Sequence, residues 1–396
     1  MHSLIPAFAL GCVLLATACG GEGGPLTPVF FPPDETFYVG PYIGHTGETF
    51  THIGWETETS GTTRVYYGRR ADSYDHAAVG PDGTLHQVRI EGLAPQTRYH
   101  YRACTGTTCT RDLTFDTAPR PGTPFSFGVY GDCQDNPDIH RQVVDRLIEH
   151  GAWLGMVVGD LVSDGRERWQ YKERYFDAAR AFAQVRPRYA AIGNHDRKDY
   201  EGTYFREYNM FPEDPAVPQT EVSYSFVYGD AFFLVIDNTV DHLDVFFPIG
   251  DWEPPLWLWF VERAQSAEAR AARYRFAFAH YPPGSNCYPE GHEYGMPESA
   301  VKDYLLPLLK ENGFHAYFAG HMHCYERFDY GGMLAITTGG GGGGLEDPAQ
   351  CDDGLPEARI QDCVHHAVLV DLGPDAARFT VQDIGGRVIE QFEVAP

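Results

Sequence analysis

The sequence predicts two domains: a small all-β sandwich over residues 37–118 and a layered α/β domain over residues 119–396. Three observations carry this. From Phe37 to Thr117, short alternating apolar and polar runs are separated by turn residues, with no helical period. A Pro/Gly-rich stretch from Pro119 to Pro124 then interrupts the pattern. Beyond it, compact apolar runs alternate with helical stretches, which is how strands and covering helices of a layered α/β domain read. With 396 residues, 43% hydrophobic and 14% aromatic, the chain can bury a sizeable core, and wholesale disorder is excluded.

The N-terminus reads as a targeting segment. Leu4 to Ala18 is apolar but too short to span a bilayer comfortably. Ala16, Thr17 and Ala18 run directly into Cys19, which predicts a signal peptide over residues 1–18 and a loose linker over 19–36. Cys19 at the cut resembles the lipidation site of a bacterial lipoprotein, held in the periplasm or at the outer membrane or cell surface. Membrane contact would then be through the lipid anchor only. The plainer alternative is a secreted protein with an incidental cysteine, and the opening Met1-His2-Ser3 lacks the usual Lys or Arg.

An exported chain meets oxidising conditions, so disulfides are expected. Setting aside Cys12 and Cys19, seven of the nine cysteines remain. Cys104 and Cys109 flank a plausible hairpin tip and could bridge. Cys351 and Cys363 are another possible pair, with Cys287 competing, and spacing does not fix connectivity. No Cys-x-x-Cys occurs, which disfavours a structural zinc site.

In the sandwich, the runs at residues 51–55, 63–67, 87–90 and 98–102 read as strands. In the second domain the strand runs are 125–130, 154–158, 189–192, 231–236, 274–279 and 316–319. Helical patterns fill 137–150, 169–185, 257–273 and 299–312, and residues 364–394 return to strand pattern.

The chemistry sits at strand ends. Five polar signatures each follow an apolar run: Gly131-Asp132, Gly159-Asp160, Gly193-Asn194-His195-Asp196, Ala279-His280 and Gly320-His321-Met322-His323. The carboxyl ends of strands in open α/β sheets are where ligands bind, and each glycine lets the chain turn so that the next side chain enters a shared crevice. Oxygen and imidazole donors together suit first-row metals. Singly, each signature has a plain structural explanation as a turn, a helix cap or a hydrogen-bonded core histidine. Five in order, each after its own strand, do not.

These five motifs, with the run continuing Cys324-Tyr325-Glu326-Arg327, resemble the metallophosphoesterase signature set, and the Tyr-Glu-Arg ending resembles the purple acid phosphatase branch. The resemblance implies a fibronectin type III-like N-terminal sandwich and an α-β-β-α catalytic domain. It implies two metal ions, Fe with Zn or Mn, bridged by Asp160. Asp132 and His323 would complete the first metal, and Asn194, His280 and His321 the second. Two such cations clamp the attacking and leaving oxygens of an in-line displacement, and bound water is acidified to a pKa near 7. His195 would bind substrate or donate a proton, and His292, 12 residues after His280, would steady the phosphate. The plain alternative for His292 is a solvent-exposed loop residue.

Two positions depart from the pattern. Ser163 stands where purple enzymes carry a tyrosinate ligand, and Gln134 where wider relatives carry a histidine. A purple colour and obligatory Fe(III) are therefore not expected, and either side chain could give a weak or water-mediated contact. The six glycines at 339–344 lack the Lys-Ser/Thr of a phosphate-binding loop and read as a flexible connector. No Gly-x-Ser-x-Gly elbow and no partner base for a nucleophilic cysteine is evident.

The expected function is hydrolysis of a small phosphomonoester. A phosphodiesterase shares the fold and metals, and a lipid-tethered binding protein with an inactive site is the reading from another class. The net charge of −25 argues against non-specific nucleic-acid binding. Oligomeric state is left open.

Overall fold

The computed structural model describes residues 37–214, 222–239, 248, 253–287, 296–351 and 355–396. Cys19, the signal segment and His292 lie outside them. Among the described residues, no helix is long and apolar enough to cross a membrane.

The N-terminal domain holds β1 (Val39–Thr46), β2 (Phe50–Gly68), β3 (His76–Glu91), β4 (Arg98–Thr105), β5 (Thr108–Cys109) and β6 (Leu113–Asp116). The runs 51–55 and 63–67, expected as separate strands, are one 19-residue strand. Its first half pairs with β1 and β3 and its second half with β3 and β4. Buried Ile53, Trp55, Val65, Val88, Tyr101 and Phe115 form the core of this β-sandwich. The Cys104–Cys109 disulfide closes the β4–β5 hairpin.

The second domain holds β7 (Phe125–Tyr130), β8 (Leu154–Val158), β9 (Arg188–Ala191), β10 (Tyr224–Tyr228), β11 (Ala231–Val235), β12 (Tyr274–Phe278) and β13 (Ala316–Ala319). It continues with β14 (Tyr325–Tyr330), β15 (Met333–Thr338), β16 (Ala358–Asp362), β17 (His366–Leu372), β18 (Ala377–Asp383) and β19 (Val388–Val394). They form two sheets, ordered β19-β18-β17-β7-β8-β9 and β10-β11-β12-β13-β15-β14-β16. The strands that end in the signature motifs are β7, β8, β9, β12 and β13, and within each sheet they run parallel.

The sheets pack face to face through aromatic rings. Phe127 of the first meets Phe233 and Phe276 of the second, each at 5.3 Å between centroids. Alternation along β11 sends Phe233 and Val235 to this interface, while Phe232 and Leu234 pack with Leu256, Phe260, Leu305 and Leu309 of the outer helices. Helix α1 (Pro137–His150) covers the first sheet with Val143, Val144 and Leu147. Its start is fixed by Asn136, whose side chain accepts from the amides of Asp138 and Ile139, and its end by Gly151 at φ 79°. The result is the four-layer α-β-β-α arrangement.

Three expected helices are interrupted, the one at 299–312 by a π turn at Val301–Leu305. Residues 168–183 contain a π turn at Tyr171–Phe176, which allows Tyr171, Tyr175 and Phe176 all to be buried. The 257–273 pattern divides at Ser266, whose hydroxyl caps a second short helix, Ala267–Ala271. The sandwich is keyed to the catalytic domain by Tyr101, which donates to the Gln184 carbonyl at 2.8 Å, and by the Arg186–Asp116 ion pair.

Candidate metal centre

The parallel strands deliver their last residues to one place. Ligand atoms of Asp132, Asp160 and His280 lie within 4.8 Å of one another. Asn194 Oδ1 is 2.9 Å from His280 Nε2 and 3.2 Å from His321 Nδ1. His323 Nε2 is 3.5 Å from Asp132 Oδ1, and His280 Nε2 is 3.5 Å from Asp160 Oδ2. All six residues expected to hold metal therefore adjoin, and His195 Nε2 lies 4.0 Å from Asp160 Oδ2.

Backbone strain aims these groups. Asp132, Asp160 and His321 have φ of 56°, 52° and 69°, in the left-handed region that side chains rarely adopt. The preceding glycines were expected to make the turns themselves, but only Gly159 has a positive φ. The others are needed for close approach. A Cβ on Gly193 would lie 2.1 Å from Asp160 Oδ1, and one on Gly320 would lie 2.4 Å from Asp132 Oδ2. The loops press too tightly for any side chain there.

Backbone carbonyls orient three imidazoles the same way. The Nδ1 atoms of His280, His323 and His195 face the carbonyls of Val158, Gly344 and Ser163. Each Nδ1 donates to its carbonyl, so each Nε2 is turned toward the buried carboxylates. Burial pushes His280 and His321 down to about 3, so both are neutral donors. At His280 Nε2 an imidazole lone pair thus faces the Asn194 oxygen at 2.9 Å with no proton between them, and an Asp160 oxygen lies 3.5 Å away.

The carboxylates tell the same story. Burial, then Asp132 and Asp196, push Asp160 well above the ordinary carboxylate range. Burial likewise raises Asp132. Burial lowers His323, but Asp132 outweighs it and holds that imidazole up to about 9. Two carboxylates buried beside neutral imidazoles and an amide oxygen favour a positive charge between them, and this donor set fits divalent or trivalent first-row cations.

Ser163 is taken up elsewhere. Its hydroxyl donates to Asp135 Oδ1 at 2.6 Å and accepts from Arg174. Gln134 is 4% exposed, and its side-chain oxygen has no hydrogen-bond partner, which suits a further donor beside Asp132.

The structure overturns the reading of 339–344 as a flexible connector. The amides of Gly341 and Gly343 donate to the carbonyls of Gly131 and Asp132 at 2.8 and 2.7 Å, and Gly344 holds His323. A Cβ on Gly343 would lie 2.6 Å from His323 Cε1. The run is a wall of the site, and contact requires glycine at 339, 340, 341 and 343. The cysteine pairing also differs: Cys351 bonds Cys287 and Cys363 bonds Cys324. The β14–β15 hairpin and the β16 strand bring all four sulfurs together, so short separation along the chain did not decide the partners. Cys133 is free, buried and inert, its thiol pushed well up by burial.

Asp196 escaped the sequence reading of roles. It is fully buried, and its carboxylate accepts from the amides of Leu161 and Gly193 at 3.0 and 2.9 Å. It ties the Asp160 loop to the Asn194 loop. Its place beside Asn194 and His195 was the available signal.

Comparison with known proteins agrees with this geometry. The profile of the calcineurin-like phosphoesterase family matches residues 125–325, and that of the purple acid phosphatase N-terminal domain matches residues 41–117. A probable purple acid phosphatase 20 of Arabidopsis thaliana is 25% identical over 316 residues, covering 74% of this chain and 70% of its own length. The phosphoenolpyruvate phosphatase of Allium cepa is 25% identical over 305 residues, and the match covers 69% of this chain but only 59% of that protein. The purple acid phosphatase from yellow lupin (Lupinus luteus) seeds shares the fold with a TM-score of 0.74 at 15% identity, over 90% of this chain and 74% of that one. PhoD does so with 0.65 at 14% identity, over 91% and 94%. With its signature strands, its paired sheets and its sandwich all accounted for, the chain belongs to the calcineurin-like phosphoesterase family and carries a purple acid phosphatase N-terminal domain.

Proposed function

We propose that this chain is an exported hydrolase of small phosphomonoesters, with two metal ions held by Asp132, Asp160, Asn194, His280, His321 and His323. The observation that carries the reading is the meeting of His280 Nε2 with Asn194 Oδ1 at 2.9 Å and Asp160 Oδ2 at 3.5 Å, an imidazole lone pair against an amide oxygen beside a buried carboxyl. Asp160 would hold both ions, and the Gln134 oxygen, buried without a partner, would add a donor on the Asp132 side. Bound cations supply charge that activates a nucleophile and stabilises phosphoryl oxygens. The chain's own groups do the rest. His195, its Nδ1 proton engaged by the Ser163 carbonyl, presents Nε2 to the phosphate or the leaving oxygen. Asp196 and the glycine wall keep the ligands in register. The engaged Ser163 supports a centre without a tyrosinate ligand.

The apolar run ending at Cys19 supports export with a lipid tether, membrane contact being through that anchor alone. The phosphatase names of the relatives support the reaction class.

The test is a rate panel with an aryl phosphomonoester and an aryl phosphodiester on protein of measured metal content. Asp160→Asn is expected to lower the monoester rate at least about 100-fold. Equal rates in variant and wild type would overturn the reading, and a faster diester rate would replace monoester by diester as the substrate class.

A further inference from the structure

Behind the metal centre lies a second reactive cluster. Cys287, Cys324, Cys351 and Cys363 bring four sulfurs within 4.8 Å of one another, packed with Met322 in a small cluster of their own. Cys287 and Cys324 are fully buried, whereas Cys351 and Cys363 are half-buried. Each disulfide joins one buried to one half-buried sulfur. Across the bridges, Cys287 and Cys324 are 3.6 Å apart and Cys351 and Cys363 3.8 Å. Two staples alone have no need to touch; sulfurs in van der Waals contact can exchange partners in place.

We propose that this cluster is a thiol–disulfide exchange site for a dithiol reductant, and that its pairing state sets how firmly the metal centre is held. The reductant's thiolate attacks the accessible Cys351 sulfur, forming a mixed disulfide and releasing the Cys287 thiolate. That thiolate attacks Cys324 at 3.6 Å, the Cys287–Cys324 bond forms, and the Cys363 thiolate leaves and takes up a proton. The reductant's second thiol then displaces Cys351, which also takes up a proton, and leaves as the cyclic disulfide. The balance is two electrons and two protons gained by the protein and one dithiol oxidised. Entry at Cys363 releases Cys324 instead, which attacks Cys287 across the same contact. Both routes end at one product, with the two buried sulfurs bonded and the two half-buried ones free.

The product differs where it matters for the site. At present the bridges hold Cys351, and Cys363 at the end of β16, against the loops that carry His280 and His323. Cys351 follows the glycine wall, where Gly344 orients His323 and the Glu346 amide reaches the His323 carbonyl. Exchange releases Cys351 and Cys363 from the histidine loops, leaving β16 held by its pairing with β14, and ties the two histidine loops to each other. Cys287, Cys324, Cys351 and Cys363 are thus positioning residues. This consequence, unlike the exchange itself, rests on the proposed metal centre.

The experiment treats the wild-type protein with limiting dithiothreitol, alkylates it and maps the peptides. A Cys287–Cys324 bridge with Cys351 and Cys363 alkylated is expected. Alkylation of Cys287 with Cys351 while Cys324–Cys363 persists would overturn the exchange, as would a cluster left intact under conditions that reduce Cys104–Cys109. A second arm measures zinc affinity by chelator competition. The double variant Cys351→Ser/Cys363→Ser, which leaves the buried pair to bond, is expected to bind zinc about 10-fold more weakly, as outer-shell losses do. Cys104→Ser/Cys109→Ser, which removes a bridge in the sandwich, is expected to bind as wild type does. Equal affinity in all three would overturn the positioning role and leave the mapped exchange standing. A wild type that binds no zinc would count against the metal centre and not against the exchange.

Discussion

Asp132, Asp160 and His321 each sit in the left-handed region at a cost of order 1–3 kcal/mol, and the surroundings over-determine them. Gly193 shows how tightly. Its absent Cβ would stand 2.1 Å from Asp160 Oδ1 and 2.2 Å from the Asp160 amide. Gly193→Ala is therefore expected to shift the Asp160 carboxylate and lower metal affinity at least about 10-fold, read by chelator competition. Glu326 gives a pH prediction. It is fully buried, accepting from Ser285 Oγ at 2.6 Å and the Asn286 amide at 2.8 Å, and burial raises it to about 7. The folded chain then holds this proton across a range where the unfolded chain, near 4.5, has lost it. Its contribution to stability is full below about pH 4.5 and is lost as pH rises through 7, amounting to about 3 kcal/mol at most. Glu326→Gln should flatten the fall in Tm between pH 5 and 7; an unchanged slope would assign the dependence to other groups.

Strands and loops divide the labour among elements. Buried β7, β8 and β13 read as uninterrupted apolar runs because both faces are covered, one by a sheet and one by helices or by the opposing layer. Their boundaries were legible for that reason. The β14–β15 hairpin was not, since Tyr325-Glu326-Arg327 carries polar groups whose partners, Glu390 and Ser285, are remote in sequence. The Asn136 cap of helix α1 lies two residues after Gln134, so it also anchors the Asp132 loop. Asn136→Ala is expected to cost about 1 kcal/mol in denaturant unfolding, through the two amides its side chain satisfies. An unchanged midpoint would mean the loop, not the cap, holds the helix start.

For the whole molecule, the sandwich is a packed partner of the catalytic domain. Asp116 lies at that junction, paired with Arg186 and Arg98. Burial alone would raise its carboxyl, but the two guanidinium groups outweigh this and hold it below the usual range. Arg186 is only 6% exposed at its side chain. Asp116→Ala would leave that cation buried and unpaired, and is expected to cost roughly 3 kcal/mol of stability, measured by urea unfolding. A loss within error would show that water enters the junction. The sequence by itself determined the two-domain order, the strands that end in the signature motifs and the six candidate donors that stand there, because these follow from local periodicity and from residues placed at the ends of apolar runs. The tertiary structure alone decided the disulfide partners, the glycine wall, the idle Ser163 and the carbonyls that orient each imidazole. Those depend on contacts between segments far apart in the chain, and no local pattern encodes a separation in space.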